Sequence, residues 1–188
     1  MAREQSKIAG RKRPYACDCH ATRRSPAAML PPDVALSIDD LGLVDYAADA
    51  ARALLAQHPE VAFTSGRRNA KEQADAMAGN VVKNRRWIEQ TYLQSAERDS
   101  LQTWVNTHPQ VTTSASISSG LFAIINAWTD DQKRTLSRHF SGQAFDVQPV
   151  ANGDDIKRTI KDLPNLRKFL ETEGGLTIWH ADFELPQN

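Results

Sequence analysis

The chain has 188 residues, 40% of them hydrophobic, with 23 basic and 23 acidic groups. That size suits one globular domain with a core large enough to fold without disulfides or metal. The charge balance argues against a surface given over to nucleic acid or anionic lipid. No apolar run approaches the roughly 20 residues of a membrane span. The basic start lacks the apolar stretch of a secretory signal. The two cysteines, Cys17 and Cys19, cannot make a disulfide framework. The expectation is synthesis in the reducing cytoplasm, with release or delivery by another agent if the target lies outside.

Residues 1–33 read as a basic N-terminal tail and linker, and 34–188 as the folded domain. The first 26 residues carry seven basic groups against two acidic ones. Ser25-Pro26 and Pro31-Pro32-Asp33 block helix continuation there. Asp39 or Asp40 is expected to cap a helix running to about His58, with an apolar face through Leu43, Tyr46, Ala47, Ala50 and Leu54. Val61–Thr64 reads as a strand closed by Ser65-Gly66. Residues 69–92 are helical in composition, with Gly79-Asn80 as a point of interruption. A further helix is expected over 95–106, stopped by His108-Pro109.

The Ser/Thr-rich stretch Thr112–Ser119 leads into apolar Leu121–Trp128, and Thr129-Asp130-Asp131 is a helix start. Residues 144–148 read as a strand, 154–172 as one or two helices broken at Pro164, and 176–183 as a last strand. No internal repeat is present. The pattern predicts an α+β fold: a small antiparallel sheet flanked by helices.

The chemistry concentrates in the C-terminal half. His139 and Asp146 stand seven positions apart, separated by Gly142 and the start of a strand. Both are good zinc ligands, and the glycine permits a tight turn between them. Asp146 lies between Phe145 and Val147, where an unpaired carboxylate would be costly. In the last strand, alternation puts Trp179, Ala181 and Phe183 on one face and His180, Asp182 and Glu184 on the other. His180 would complete three protein ligands and leave a position for water, as catalytic zinc requires.

Ser137-x-His139, Gly142, Ala144 and Asp146, followed by Trp179-His180, resemble the zinc motifs of the D-alanyl-D-alanine carboxypeptidase and L-alanyl-D-glutamate endopeptidase family. Ser65-Gly66-Arg67-Arg68, followed by Gln73, resembles that family's Ser-Gly-x-Arg turn. The resemblance spans roughly residues 60–184. It implies a DD-peptidase-like sheet carrying Zn2+ on His139, Asp146 and His180. It also implies hydrolysis of a peptide bond in peptidoglycan stem peptides, as in phage endolysins. Arg68 would hold a substrate carboxylate or an oxyanion. Ser137 and Gln73 would support substrate geometry.

One position departs from the family. The acidic residue expected three before the final histidine is Thr177, which cannot serve as a general base. Asp182, Glu173 and Glu184 are the substitutes, with Asp182 preferred on strand parity and Glu173 second. The alternatives are a zinc-binding cell-wall module without efficient hydrolysis, and a nucleic-acid-associated protein using residues 1–26. Nucleic acid is otherwise not expected as a partner, and a monomer is expected.

Other features have plainer readings. Cys17-Asp18-Cys19-His20 lacks zinc-site spacing and reads as tail. His58 and His108 read as helix-end residues. Trp87, Trp104 and Trp128 read as core, and Lys83-Asn84-Arg85-Arg86 as a solvated helix face.

Overall fold

The computed structural model describes residues 36–186; the expected tail and the Cys17–His20 cluster lie outside them. Within that range the fold is α+β, with seven helices and one four-stranded antiparallel sheet. In chain order the elements are α1 Asp45–Gln57, β1 Phe63–Ser65, α2 Ala70–Lys83, α3 Trp87–Thr91, α4 Ala96–Thr107 and α5 Ser114–Asn126. They continue with α6 Asp130–Leu136, a 3-10 turn Arg138–Ser141, β2 Ala144–Val147, α7 Asp154–Lys161, β3 Leu166–Glu173 and β4 Leu176–Phe183. None of the described helices is long and apolar enough to cross a membrane.

Local chemistry accounts for most helix starts. Asn69 accepts from the backbone of Lys71 and Glu72, and the Glu72 side chain bonds back to the Asn69 N–H. Thr129 and Gln132 make the same reciprocal arrangement ahead of α6. Ser95 caps α4, and Thr113 caps α5. Each such cap satisfies backbone donors that the first helical turn leaves free.

Four expectations need correction. The first helix begins at Asp45, not at Asp39 or Asp40, because the Asp40 carboxylate is engaged by the Ser37 hydroxyl (2.6 Å) in a preceding turn. Helix α2 runs unbroken through Gly79, whose small propensity cost is outweighed by a continuous buried face of Ala74, Met77, Ala78 and Val81. Residues 166–172, expected as helix, belong to strand β3. Their Leu, Lys, Arg and Glu content favours helix, but eight residues of β4 offer a pairing partner, and tertiary pairing overrides propensity. Finally, Arg85 is not a solvated charge. It donates to the carbonyls of Val105, His108 and Val111, and so secures the end of α4.

The strand order is β1-β2-β4-β3. β3 and β4 form a hairpin across Gly174-Gly175. One sheet face carries Phe63, Phe145, Val147, Trp179, Ala181 and Phe183, which pack with Ala47, Ala50 and Leu54 of α1 and Ile156 and Ile160 of α7. A second apolar cluster joins α2, α3, α4 and α5 through Met77, Ile88, Leu101 and Leu121. Leu176 and Ile178, at the hairpin end of β4, pack against that second cluster. β4 is thus held from both sides, and the remainder of its second face, at His180 and Asp182, stays free for polar groups.

Leu54 is fully buried in the helix–sheet layer. Leu54→Ala should lower the unfolding free energy by about 2–5 kcal/mol in urea titration, the usual cost of such a truncation. A loss under about 1 kcal/mol would mean that this layer is not a close-packed core.

Candidate metal centre

Three devices aim His139, two of them local and one from a distant turn. The Ser137 hydroxyl accepts from the His139 backbone N–H (3.3 Å) and starts the 3-10 turn. Gly142 ends that turn with φ +71°, and a Cβ there would lie 2.7 Å from the Gly42 carbonyl oxygen, so no larger residue fits. The buried ring is then fixed by its Nδ1, 2.6 Å from the Gly66 carbonyl oxygen. A carbonyl only accepts, so Nδ1 carries the proton and Nε2 presents its lone pair inward. Gly66 can approach because it lacks a side chain; a Cβ would fall 2.2 Å from the Leu41 oxygen.

Sheet register supplies the other two groups. Asp146 on β2 lies directly opposite His180 on β4, so both side chains rise from one face. His180 Nδ1 is 2.9 Å from Asp146 Oδ1 and 3.2 Å from His139 Nε2. His139 Nε2 is 3.4 Å from the same carboxylate oxygen. One ligand atom from each of the three residues lies within 4.8 Å of the others. The buried group His139–Asp146–His180 could hold a metal ion. The donor chemistry fits a divalent cation: two imidazole nitrogens and a carboxylate converge, and one imidazole is locked with its lone pair facing the shared point.

The electrostatics leave one neutral imidazole and one ionised carboxylate in the group. Burial, then the Arg68 charge, lower the His139 pKa to about 4, so this ring is neutral at pH 7. Burial also works against a charged His180, but the hydrogen bond and charge of Asp146 outweigh it and raise that pKa. Burial alone would raise the Asp146 pKa; His139 and Arg68 instead hold it well below the usual carboxylate range.

The residues around this group fall into distinct roles. The Arg68 backbone N–H bonds to the His139 carbonyl (3.0 Å), and its guanidinium pairs with Asp146 Oδ2. Gln73 is fully buried between Arg68 (3.4 Å) and the Tyr92 hydroxyl (2.9 Å), so it orients Arg68. Asp182 lies behind His180, with an oxygen 3.9 Å from Nε2. Both of its oxygens accept from Arg167 Nη1, at 3.1 and 3.2 Å. Glu173 sits at the end of β3 and lines the cleft, where burial raises its pKa. Its backbone carbonyl accepts from the Trp87 indole (3.0 Å). Thr177 is exposed and does not line the cleft, and Glu184 is exposed beyond β4.

The cleft itself, about 380 Å³, brings together Arg68, Gln73, Ser137, Glu173, Asp182 and the three candidate ligands. It also contains groups that the sequence reading missed, chiefly Tyr92, Arg138, Arg167 and Lys168. Arg167 and Lys168 were concealed by the helical reading of 154–172, since their place in the cleft follows from strand pairing. Comparison with known protein families, with curated proteins and with solved structures returns no match.

Two measurements check the centre. Zinc at 100 times its dissociation constant should add about 2.7 kcal/mol to stability, and His139→Ala or His180→Ala should abolish the gain. In the metal-free protein the raised His180 pKa gives stability that is present below pH 6.5 and lost as pH rises through the folded value. A bound metal needs the neutral ring, so the zinc-induced rise in Tm should be larger at pH 8 than at pH 6. A pH-independent rise would contradict this ligand set.

Proposed function

We propose that this chain is a zinc-dependent peptidase acting on the stem peptides of peptidoglycan, of the kind a phage or prophage uses for lysis. The observation that carries the reading is the convergence of His139, Asp146 and His180 with Arg68 and Glu173 in one cleft. The Ser-x-His, Asp and Trp-His motifs and the Ser-Gly-x-Arg turn, in the order of the D-alanyl-D-alanine carboxypeptidase and L-alanyl-D-glutamate endopeptidase family, supply the substrate class.

Zinc in this site would act as a Lewis acid toward the scissile carbonyl and make water a nucleophile near neutral pH. Glu173 is the general base in this scheme. Burial raises its pKa, which suits a group that takes a proton from water and returns it to the leaving amine. Asp182 fits that role less well, since Arg167 engages both of its oxygens. Its position beside His180 Nε2 suits a group that orients the ring from behind. Arg68 places a guanidinium at the edge of the triad, where it can donate to a developing oxyanion. Glu173 thus takes the task that Thr177 cannot perform. A zinc-binding module without hydrolysis is the second reading, and the threonine is what favours it.

Purified muropeptides digested with and without chelator, and read by mass spectrometry, separate the two. Metal-dependent cleavage is expected; a folded, zinc-loaded sample that releases no product would sink the enzyme reading. Glu173→Gln should lower kcat by roughly 10²–10⁴-fold with zinc content unchanged. Asp182→Asn should instead weaken zinc affinity by roughly 10–100-fold. The opposite pattern would exchange the two roles.

A further inference from the structure

Gln73 fixes the polarity of a short chain of hydrogen bonds beside the triad. Its side chain is fully buried between two partners. Arg68 Nη1 donates to Gln73 Oε1 at 3.4 Å, and Gln73 Nε2 lies 2.9 Å from the Tyr92 hydroxyl oxygen. A guanidinium has only donors, so the amide must turn its oxygen toward Arg68. Its nitrogen then faces Tyr92 and has only hydrogens to give, which makes the phenol oxygen the acceptor. The phenol proton is therefore excluded from the Gln73 side. Among the described residues that proton has no acceptor, and Tyr92 lines the cleft.

The phenol is also held in place. Tyr92 ends α3, with its backbone N–H bonded to the Ile88 carbonyl. Its ring meets Trp87 edge to face, with centroids 5.6 Å apart. Trp87 is itself buried and anchored to the Glu173 carbonyl. Swinging the phenol out of the cleft would break both the Gln73 bond and the Trp87 contact. Burial, then the charge of Glu173, raise the phenol pKa, so the group stays protonated near neutral pH. Arg68 and Asp146 also act on it, which puts the hydroxyl in the field of the triad.

We infer that Tyr92 donates its free proton to the oxygen that gains negative charge at the triad, as a second donor beside Arg68. The two donors stand at opposite ends of one buried amide, so Gln73 sets their spacing as well as their direction. Arg68 brings charge but is shared with Asp146. Tyr92 brings a neutral hydrogen bond that no carboxylate engages among the described residues. Calling the oxygen that of a scissile carbonyl rests on the peptidase reading, but the donor pair needs only a bound oxyanion.

The test uses the full zinc-loaded chain and inorganic phosphate, a tetrahedral oxyanion that is not turned over. Tyr92→Phe keeps the ring and its contact with Trp87. In calorimetry it should bind phosphate about tenfold more weakly, at unchanged zinc content. The loss should persist when Tyr92→Phe is made in an Arg68→Ala background, because a direct donor does not act through the arginine. Equal phosphate affinity of wild type and variant, no measurable phosphate binding by the wild type, or a loss of zinc content would overturn the proposal. A phosphate effect that vanishes without Arg68 would overturn it too, since Tyr92 would then only support the arginine. With muropeptides, Tyr92→Phe should lower kcat by roughly 10²–10³-fold and leave KM within about twofold, since the bond forms as charge develops. A raised KM with unchanged kcat would count against the proposal as decisively. An intact phosphate difference together with wild-type protein that cleaves no muropeptide would instead defeat the peptidase reading alone.

Discussion

The site depends on one register. Pairing Asp146 of β2 with His180 of β4 puts a carboxylate and an imidazole side by side on the free face of the sheet. A slip of one residue would turn both toward the apolar layer beneath, because side chains alternate between faces. Phe145, Val147, Trp179 and Ala181 bracket the two polar residues and are buried on that lower face. Burying these four side chains therefore does two things at once: it supplies hydrophobic stabilisation and it locks the polar pair upward.

The third member reaches the site by a different route. His139 comes from a 3-10 turn, not from the sheet, and its orientation rests on the Gly66 carbonyl at the end of β1. The same turn ties back through the Arg68 N–H to the His139 carbonyl. The two connections bind the Ser65–Arg68 turn and the His139 turn into one unit. The arginine that faces Asp146 and the histidine that faces His180 are consequently fixed together. This economy explains why two motifs more than 60 residues apart in the chain belong to a single centre.

Much of this was legible in the chain. Thr129 marks a helix start by local chemistry, and α6 begins there; α2 and α4 begin within one residue of the boundaries at 69 and 95 read from composition. The alternation of 176–183 shows which residues of β4 share a face, because a strand has a fixed period of two. The candidate ligands His139, Asp146 and His180 could likewise be picked out, since unusual polar residues among apolar ones need a reason to be there. Residues 166–173 are the counter-example. Their side chains suit a helix, and nothing within the segment reveals that β4 is waiting to pair with it. Arg85 is another, since its three acceptors belong to the end of α4 and the loop that follows.

The sequence by itself determined much of the local grammar: where α2, α4 and α6 start, which residues of β4 share a face, and which residues are chemically able to hold a metal. These properties depend on neighbours within a few positions, so they survive without a fold. Only the tertiary structure decided the surroundings of each carboxylate. Asp182 and Glu173 are alike as sequence, but Arg167 reaches both oxygens of the first, while burial raises the pKa of the second. It likewise decided that Arg167 and Lys168 belong to the cleft. Those outcomes depend on contacts between strands distant in the chain, whose geometry is set by packing on both sides of the sheet and not by any short stretch of residues.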